Sequence, residues 1–255
     1  MIAGIIAARM SSSRLPGKVL LQICEKTILE IMIERVKRSK IIDKVIIATS
    51  INSDDDAIEE VCNKLKISCI RGSEENLISR YKLVCDQIKP DIIVKMGADS
   101  PLVDPLIIDK IVNTFLNEKY DYVSNYGVPK TYPEGCTADV YSVKTLNDAF
   151  LEAKKPSELE HISPFMWNRP EKYSFFRVDY KKDISNYRLS LDYNEDFIVI
   201  KSIFEALTIK NPNFTLEDII SWLDQNPDIK QINSHISQSE GLFKSFQEDK
   251  LAGYD

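Results

Sequence analysis

The sequence predicts an α/β fold built on a mainly parallel sheet with helices on both faces. Three observations predict it. Short β-branched apolar runs alternate with amphipathic stretches through the first 120 residues, the pattern of strand–helix–strand units. A polar segment follows each of these runs, and open α/β sheets bind ligands just beyond the carboxyl ends of their strands. Of only eight glycines, Gly17, Gly72, Gly97, Gly127 and Gly135 fall where a strand ends or a polar loop turns, places that call for positive φ or close backbone approach.

Taken in order, Ile2–Ala8, Lys44–Thr49, Ile67–Arg71 and Asp91–Met96 read as buried strands. The Thr27–Ser39 stretch puts Leu29, Met32, Ile33 and Val36 on one helical face. A second helix starts at Ser53, in cap position before Asp54, Asp55 and Asp56, and carries Ile58, Val61, Cys62 and Leu65. Glu74–Gln87 repeats Leu77, Ile78, Tyr81, Val84 and Cys85, and a fourth helix starts after Pro105. Shorter strands are expected at Asp121–Ser124, Asp139–Val143, Ser174–Val178 and Tyr187–Leu191. Helices are expected at Lys144–Ala153, Glu195–Leu207 and Leu216–Leu223. No linker or repeat divides the chain, so the second half reads as an elaboration of the same domain. From Ser234 the pattern fades, as in a mobile or partner-contacting tail.

Composition narrows the chemistry. The 255 residues are 44% hydrophobic and 28% charged, with a formal charge of −6. That is a globular balance with no overall attraction to nucleic acid or anionic membrane. No apolar run is long enough to span a bilayer, and Met1–Arg9 reads as a buried strand rather than a signal peptide. Cys24, Cys62, Cys69, Cys85 and Cys136 are odd in number and form no C-x-x-C pair, so reduced thiols in a cytoplasmic protein are expected. With His161 and His235 the only histidines, a site resting on several histidines is nearly excluded. Carboxylates, basic side chains or a hard metal ion are left to carry the chemistry.

Three segments stand out. Ala8-Arg9-Met10-Ser11-Ser12-Ser13-Arg14-Leu15-Pro16-Gly17-Lys18 holds three cations, three serines and no acid, which suits a phosphate cradle or a solvated basic turn. It is neither a Walker A loop nor G-x-G-x-x-G, since Ser12 replaces the first glycine of the former and Val19 follows its lysine. Lys95-Met96-Gly97-Ala98-Asp99-Ser100-Pro101 closes a strand with a carboxylate placed to ligate magnesium, or simply to turn the chain. In Arg188-Leu-Ser-Leu-Asp192-Tyr-Asn-Glu195-Asp196, Asp192 ends an apolar run and can aim at the same crevice as Asp99. Glu195 and Asp196 fit the first turn of a helix, where acids complement the dipole. The polar loop from Asn125 to Asp139 suits a sugar-like substrate or a plain surface turn, and Glu160-His161 sits in a helical context.

The set of motifs resembles the cytidylyltransferases of the spore coat polysaccharide biosynthesis type, related to those that activate 3-deoxy-manno-octulosonate and acylneuraminate sugars. A-R-M-S-S-S-R-L-P-G-K-V-L at 8–20 carries the resemblance, with R-G-S-E-E-N-L-I-S-R-Y at 71–81, G-A-D-S-P-L-V-D-P at 97–105 and D-Y-V-S-N at 121–125. Y-P-E-G at 132–135, E-H-I-S-P at 160–164 and L-D-Y-N-E-D-F at 191–197 extend it. The resemblance implies a Rossmann-like three-layer α/β/α sandwich of the nucleotide-diphospho-sugar transferase type over residues 1–233. Its nucleotide-binding half would be 1–120 and its acceptor-binding half 121–233, ahead of a tail at 234–255.

By the same resemblance Arg14, Lys18 and Asp99 are the catalytic candidates. Ala8, Arg9, Ser11, Ser12, Ser13, Arg14, Lys18, Arg71 and Arg80 are the nucleotide-binding candidates, and Asp99 and Asp192 would hold Mg2+. Asn125, Tyr132, Glu134, Gly135, Asp139, Glu160 and His161 are candidates for the acceptor. The reaction implied is transfer of CMP from CTP to a sugar-like acid or phosphate with release of pyrophosphate, by an enzyme that can form a homodimer. Leu159 stands where the family often has arginine, and Asp139 where it has glutamate; both bear on the acceptor. Two alternatives are a GTP- or other nucleotide-dependent enzyme acting on a sugar phosphate or phosphonate, and a glycosyltransferase on the same fold. The latter needs a D-x-D motif, which Asp54–Asp56 matches formally.

Overall fold

The structure, a computed structural model, describes residues 1–254. Its central sheet begins with β1 (Ile2–Ala7), an apolar run whose alternate residues Ile5 and Ile6 enter opposite core layers. A small hairpin, β2 (Gln22–Ile23) with β3 (Lys26–Thr27), leads into α1 (Ile28–Val36), where Thr27 and Glu30 form a capping box. The next crossovers are β4 (Lys44–Ser50), α2 (Asp56–Leu65), β5 (Ser68–Gly72), α3 (Leu77–Ile88), β6 (Ile92–Gly97) and α4 (Pro105–Asn117). Then come β7 (Tyr122–Ser124), β8 (Asp139–Ser142), α5 (Val143–Glu152), α6 (Pro156–His161), α7 (Ser163–Trp167) and β9 (Phe175–Arg177). The helices α8 (Asn194–Lys210), α9 (Leu216–Gln225), α10 (Pro227–Gln231) and α11 (Glu240–Leu251) end the chain.

The strands run β5-β4-β1-β6-β8-β7-β9, and β8 alone is antiparallel to its neighbours. One apolar layer joins the sheet to α1, α4, α8 and α9; the other joins it to α3, α5 and α7. This is the three-layer sandwich expected. Register matters most at the carboxyl edge, where Ala7 pairs with both Ala48 and Gly97. The loops after β1, β4 and β6 therefore leave the sheet side by side.

Beyond the unexpected hairpin β2–β3 and short helices α7 and α10, the local expectations differ from the structure at four places. A 3-10 turn at Ser53–Asp55 precedes α2, because the Asp55 carboxylate turns back to Thr49 Oγ1 (2.8 Å) and the Ser50 amide (2.9 Å) rather than to the helix. Asn76, not the Glu74 region, caps α3 by accepting the Ser79 amide (2.8 Å). Tyr187–Leu191 is not a strand, although its residues alternate. Leu189 N–H donates to the Glu134 carbonyl (2.8 Å) and Leu191 N–H to the Asp99 carbonyl (2.8 Å), so the segment stitches two loops together and joins no ladder. The segment after Ser234 is not a loose tail, for it carries α11, which packs on α6.

Asp139 is the pin between the parallel and antiparallel parts of the sheet. Its carboxylate accepts from Lys95 Nζ (2.9 Å), Tyr122 OH (2.5 Å), Ser124 Oγ (2.7 Å) and Ser163 Oγ (2.8 Å). Burial pushes this carboxyl up, but Lys95 and the hydroxyls outweigh it and hold it below its ordinary value. Removing one partner of a buried, bonded charge leaves the other uncompensated. Asp139→Asn should therefore cost about 3 kcal/mol at pH 7 in urea unfolding. Because the folded carboxyl is depressed, its stabilisation is present above the ordinary 3.8 and is lost as pH falls through the lower folded value. The gap between the wild type and Asp139→Asn should accordingly close below about pH 4.

Candidate active site

The loops at the carboxyl edge surround a cavity of about 440 Å3, a size usual for small-molecule sites. Its first wall is the basic loop after β1. Asp55 fixes this loop, since its Oδ1 accepts the Met10 amide (2.7 Å), and Gly17 (φ 70°) turns the chain at the loop's far end. Arg9, Ser12, Ser13, Arg14 and Lys18 face the cavity, with Ala8 beneath them. Ser11 turns away to Glu74.

Asp99 and Asp192 meet across Lys18. The ammonium lies 2.8 Å from Asp192 Oδ1 and 3.4 Å from Asp99 Oδ2, and Arg14 adds a 2.6 Å contact to Asp192. The backbone bond from Leu191 N–H to the Asp99 carbonyl brings the two segments together. Behind them, Arg188 is almost wholly buried. It donates to both oxygens of Asp196 (2.9 and 3.1 Å) and to Asp192 Oδ2 (3.1 Å). Asp196 in turn accepts the amides of Asp192 (2.9 Å) and Tyr193 (3.0 Å). Burial works against the charge on Asp192, but Lys18 and Arg14 prevail and hold its pKa down to about 2. Asp99 is the more exposed of the two, with a side chain 40% accessible.

Among the described residues no three His, Cys, Asp or Glu side chains form a metal-binding group. A metal here would rest on two carboxylates plus ligands from the substrate, the set that suits a hard divalent ion. The residues fit such an ion, because an ammonium already lies between the two carboxylates.

The other candidates divide. Arg80 lines the cavity but spends its guanidinium on the carbonyls of Ser73 (2.7 Å) and Glu74 (2.8 Å), so it shapes the loop ahead of α3. Arg71 lies outside the cavity wall, as a strut bonded to Asp56, Glu59 and the carbonyls of Ser50 and Asn52. Asn125 uses its amide on the Cys136 carbonyl (2.8 Å) and the Ala138 amide (2.9 Å), bracing the loop from within. Tyr132 is 3% exposed and packs edge-on against Tyr180. Asp139 is taken up by the four bonds already described. The polar groups of Arg71, Arg80, Asn125 and Asp139 are thus committed to the protein.

Gly135 (φ 88°) is required outright: a methyl there would lie 2.3 Å from the Ser190 amide nitrogen. Glu134 accepts the Ser239 amide with both oxygens (2.9 and 3.0 Å), and burial pushes its carboxyl up. Glu160 and His161 do reach the cavity. Arg9 lies 3.5 Å from Glu160, and burial lowers the His161 pKa, which leaves the ring neutral at pH 7.

Some of the wall was not singled out beforehand. Lys95 is a charge inside an apolar strand, which is itself a readable signal. Lys130 and the stacked rings of Tyr126 and Trp167 (centroids 5.2 Å apart) also face the cavity, as do Ser239, Gly241, Leu242 and Lys244. Asp54–Asp56 contributes nothing to the wall, since Asp55 is buried behind the basic loop and Asp56 pairs with Arg71.

A family model described as cytidylyltransferase matches residues 3–233. The chain belongs to the cytidylyltransferase family. It is a nucleotidyltransferase with a Rossmann-like fold. A cytidylyltransferase structure from Leptospira borgpetersenii superposes with a TM-score of 0.85 at 34% identity, covering 90% of this chain and 96% of that one. The spore coat polysaccharide biosynthesis protein SpsF of Bacillus subtilis is 32% identical over 88% of this chain and 94% of its own. The uncharacterized protein MJ1063 of Methanocaldococcus jannaschii is 35% identical over 97% of this chain and 98% of its own.

In this cytidylyltransferase, Gly97 sets the direction of Asp99. A methyl at residue 97 would lie 2.6 Å from Asp99 Oδ1, so the carboxylate would have to swing away. If Asp99 serves the reaction as proposed below, Gly97→Ala should cut turnover about 100-fold by misplacing that carboxylate. Its unfolding midpoint should stay within a few degrees of wild type, as read by circular dichroism beside the assay.

Proposed function

We propose that this enzyme transfers CMP from CTP to a small sugar-like acceptor bearing an acid or phosphate, releasing pyrophosphate. The reading places it in the cytoplasm, where it would supply an activated sugar for surface polysaccharide. The observation that carries it is the Lys18 ammonium between Asp99 and Asp192, with Arg14 beside it. These are charges that a triphosphate and a divalent cation can exchange. The family match supports CTP as the donor, and the resemblance to SpsF supports a polysaccharide sugar as the acceptor.

An acceptor oxygen attacks the α-phosphorus, a hydroxyl giving up its proton to solvent as it does so, the bond to the β-phosphate oxygen breaks, and pyrophosphate leaves in line. Such a reaction asks the protein for positioning and charge neutralisation more than for covalent help. Arg14 and Lys18 turn from Asp192 to the phosphates as the nucleotide enters, while the Ser12 and Ser13 hydroxyls and the amides of the basic loop line their path. That movement frees Asp192 to act with Asp99. Mg2+ held by these two carboxylates would neutralise phosphate charge and polarise the attacking hydroxyl. Arg188 keeps Asp192 in place when its cations leave. In the acceptor half Lys95 is paired with Asp139, while Lys130, bonded to the neutral Gln238 and Ser239, is the cation that would meet an anionic acceptor.

Pyrophosphate release tests the proposal. Each of the four nucleoside triphosphates is offered with magnesium and a panel of sugar acids, sugar phosphates and phosphonates, 3-deoxy-manno-octulosonate among them. Release with CTP and one acceptor class is expected, and Asp99→Asn should lower it roughly 1000-fold. Release with another nucleotide would overturn the choice of base. Full activity in Asp99→Asn would remove Asp99 from the reaction.

A further inference from the structure

The family match ends at residue 233, yet the cavity wall continues beyond it. Ser239, Gly241, Leu242 and Lys244 all line the cavity. The helix that carries most of them is built unlike a core helix, which buries an apolar stripe. The two residues that α11 buries are Ser245 and Asp249, both polar, while Phe243 and Leu251 are exposed. No residue of α11 belongs to either apolar core layer.

What holds the segment is a set of bonds mostly to the acceptor side, with one, from Tyr193 OH to Glu240 (2.7 Å), reaching a ring that Arg14 covers. Asp249 accepts the Ser157 amide (2.8 Å) and hydroxyl (2.5 Å). Ser245 Oγ donates to Glu160 (2.6 Å) and lies 3.1 Å from His161 Nε2. Ser239 gives its amide to Glu134, and its hydroxyl accepts from Lys130 Nζ (2.9 Å). Ser239 also adopts φ 58°, a left-handed conformation that serine rarely takes. Tyr126, stacked on Trp167, reaches Ser239 Oγ through its hydroxyl (3.4 Å).

We propose that residues 239–245 are a specificity-determining wall of the acceptor site, which α11 holds against the Tyr126–Trp167 platform. Asp249 and Ser245 are positioning residues for that wall. The inference rests on the reading of the site as a nucleotidyltransferase centre with separate nucleotide and acceptor halves. It assigns the acceptor's fit to a segment outside the family's common domain. Relatives that differ here would then accept different sugars with the same phosphate machinery.

Trp167 reports on the wall without an acceptor. In a Trp222→Phe parent it is the only tryptophan, and adding Asp249→Ala should raise acrylamide quenching at Trp167 about twofold by loosening α11. Calorimetric CTP affinity with magnesium should stay within about twofold of the parent, because the bonds removed are those of Asp249 to Ser157, away from the phosphate loop. In the otherwise unaltered chain, Leu242→Trp should raise KM about tenfold for the acceptor that turns over in the panel, with kcat and the KM for CTP unchanged. Unchanged quenching in the first variant, or unchanged acceptor KM in the second, would overturn the proposal. So would a loss of CTP affinity in step with the opening, which would assign the wall to the nucleotide half. No triphosphate binding in the parent would instead overturn the reading of the site, and quenching would still decide whether the segment covers the cavity.

Discussion

Asp192 is held by three cations from two segments of the chain: Lys18 and Arg14 from the basic loop, and Arg188 from the stretch before it. The rest of the site depends on this arrangement. Arg188 answers to Asp196, which is fully buried in the first turn of α8, so the anchor is set by the core. In the proposed reaction Lys18 and Arg14 are the exchangeable part. Taking one partner from a buried, hydrogen-bonded pair costs about 3–5 kcal/mol unless another charge replaces it. Phosphates for the cations, and a divalent ion for the carboxylates, are replacements of the right sign.

The sheet makes the arrangement possible. Ala7 and Gly97 end β1 and β6 in register, and Ala48, two residues before the end of β4, pairs with Ala7, which sets the basic loop, the Asp55 turn and the Asp99 loop side by side. Asp55 then fixes the start of the basic loop through the Met10 amide. On the other flank Asp139 gathers β6, β7, β8 and α7 onto one carboxylate, and this positions Lys95 beside the cavity. One carboxylate on each flank thus serves as a brace, leaving Asp99 as the accessible acid between them.

Much of this was legible in the sequence because it is written in local chemistry. The strand–helix alternation, the apolar face of Leu29, Met32, Ile33 and Val36 and the helix start at Pro105 each depend on residues close together in the chain. So do the basic loop and Asp99. The starts of α2 and α3 differ through nearby bonds of Asp55 and Asn76, whereas the other misreadings fall where polar groups are satisfied by distant parts of the chain. Tyr187–Leu191 alternates like a strand, but its amides go to Glu134 and Asp99. Arg71 and Asn125 look like ligands, yet acids and carbonyls elsewhere consume their bonding. The helix α11 lacks an apolar stripe because its partners are Ser157, Glu160 and His161, so periodicity has nothing to detect.

The central claim is that Lys18 and Arg14 hold Asp192 until a triphosphate takes them. Calorimetric titration of CTP into wild type and Lys18→Met, each with and without magnesium, tests it most directly. Wild type should bind CTP with magnesium, and binding should fall at least about tenfold in Lys18→Met, the loss expected for one charge-assisted phosphate contact. Equal affinity in the two proteins, or no binding of CTP by wild type, would contradict the account.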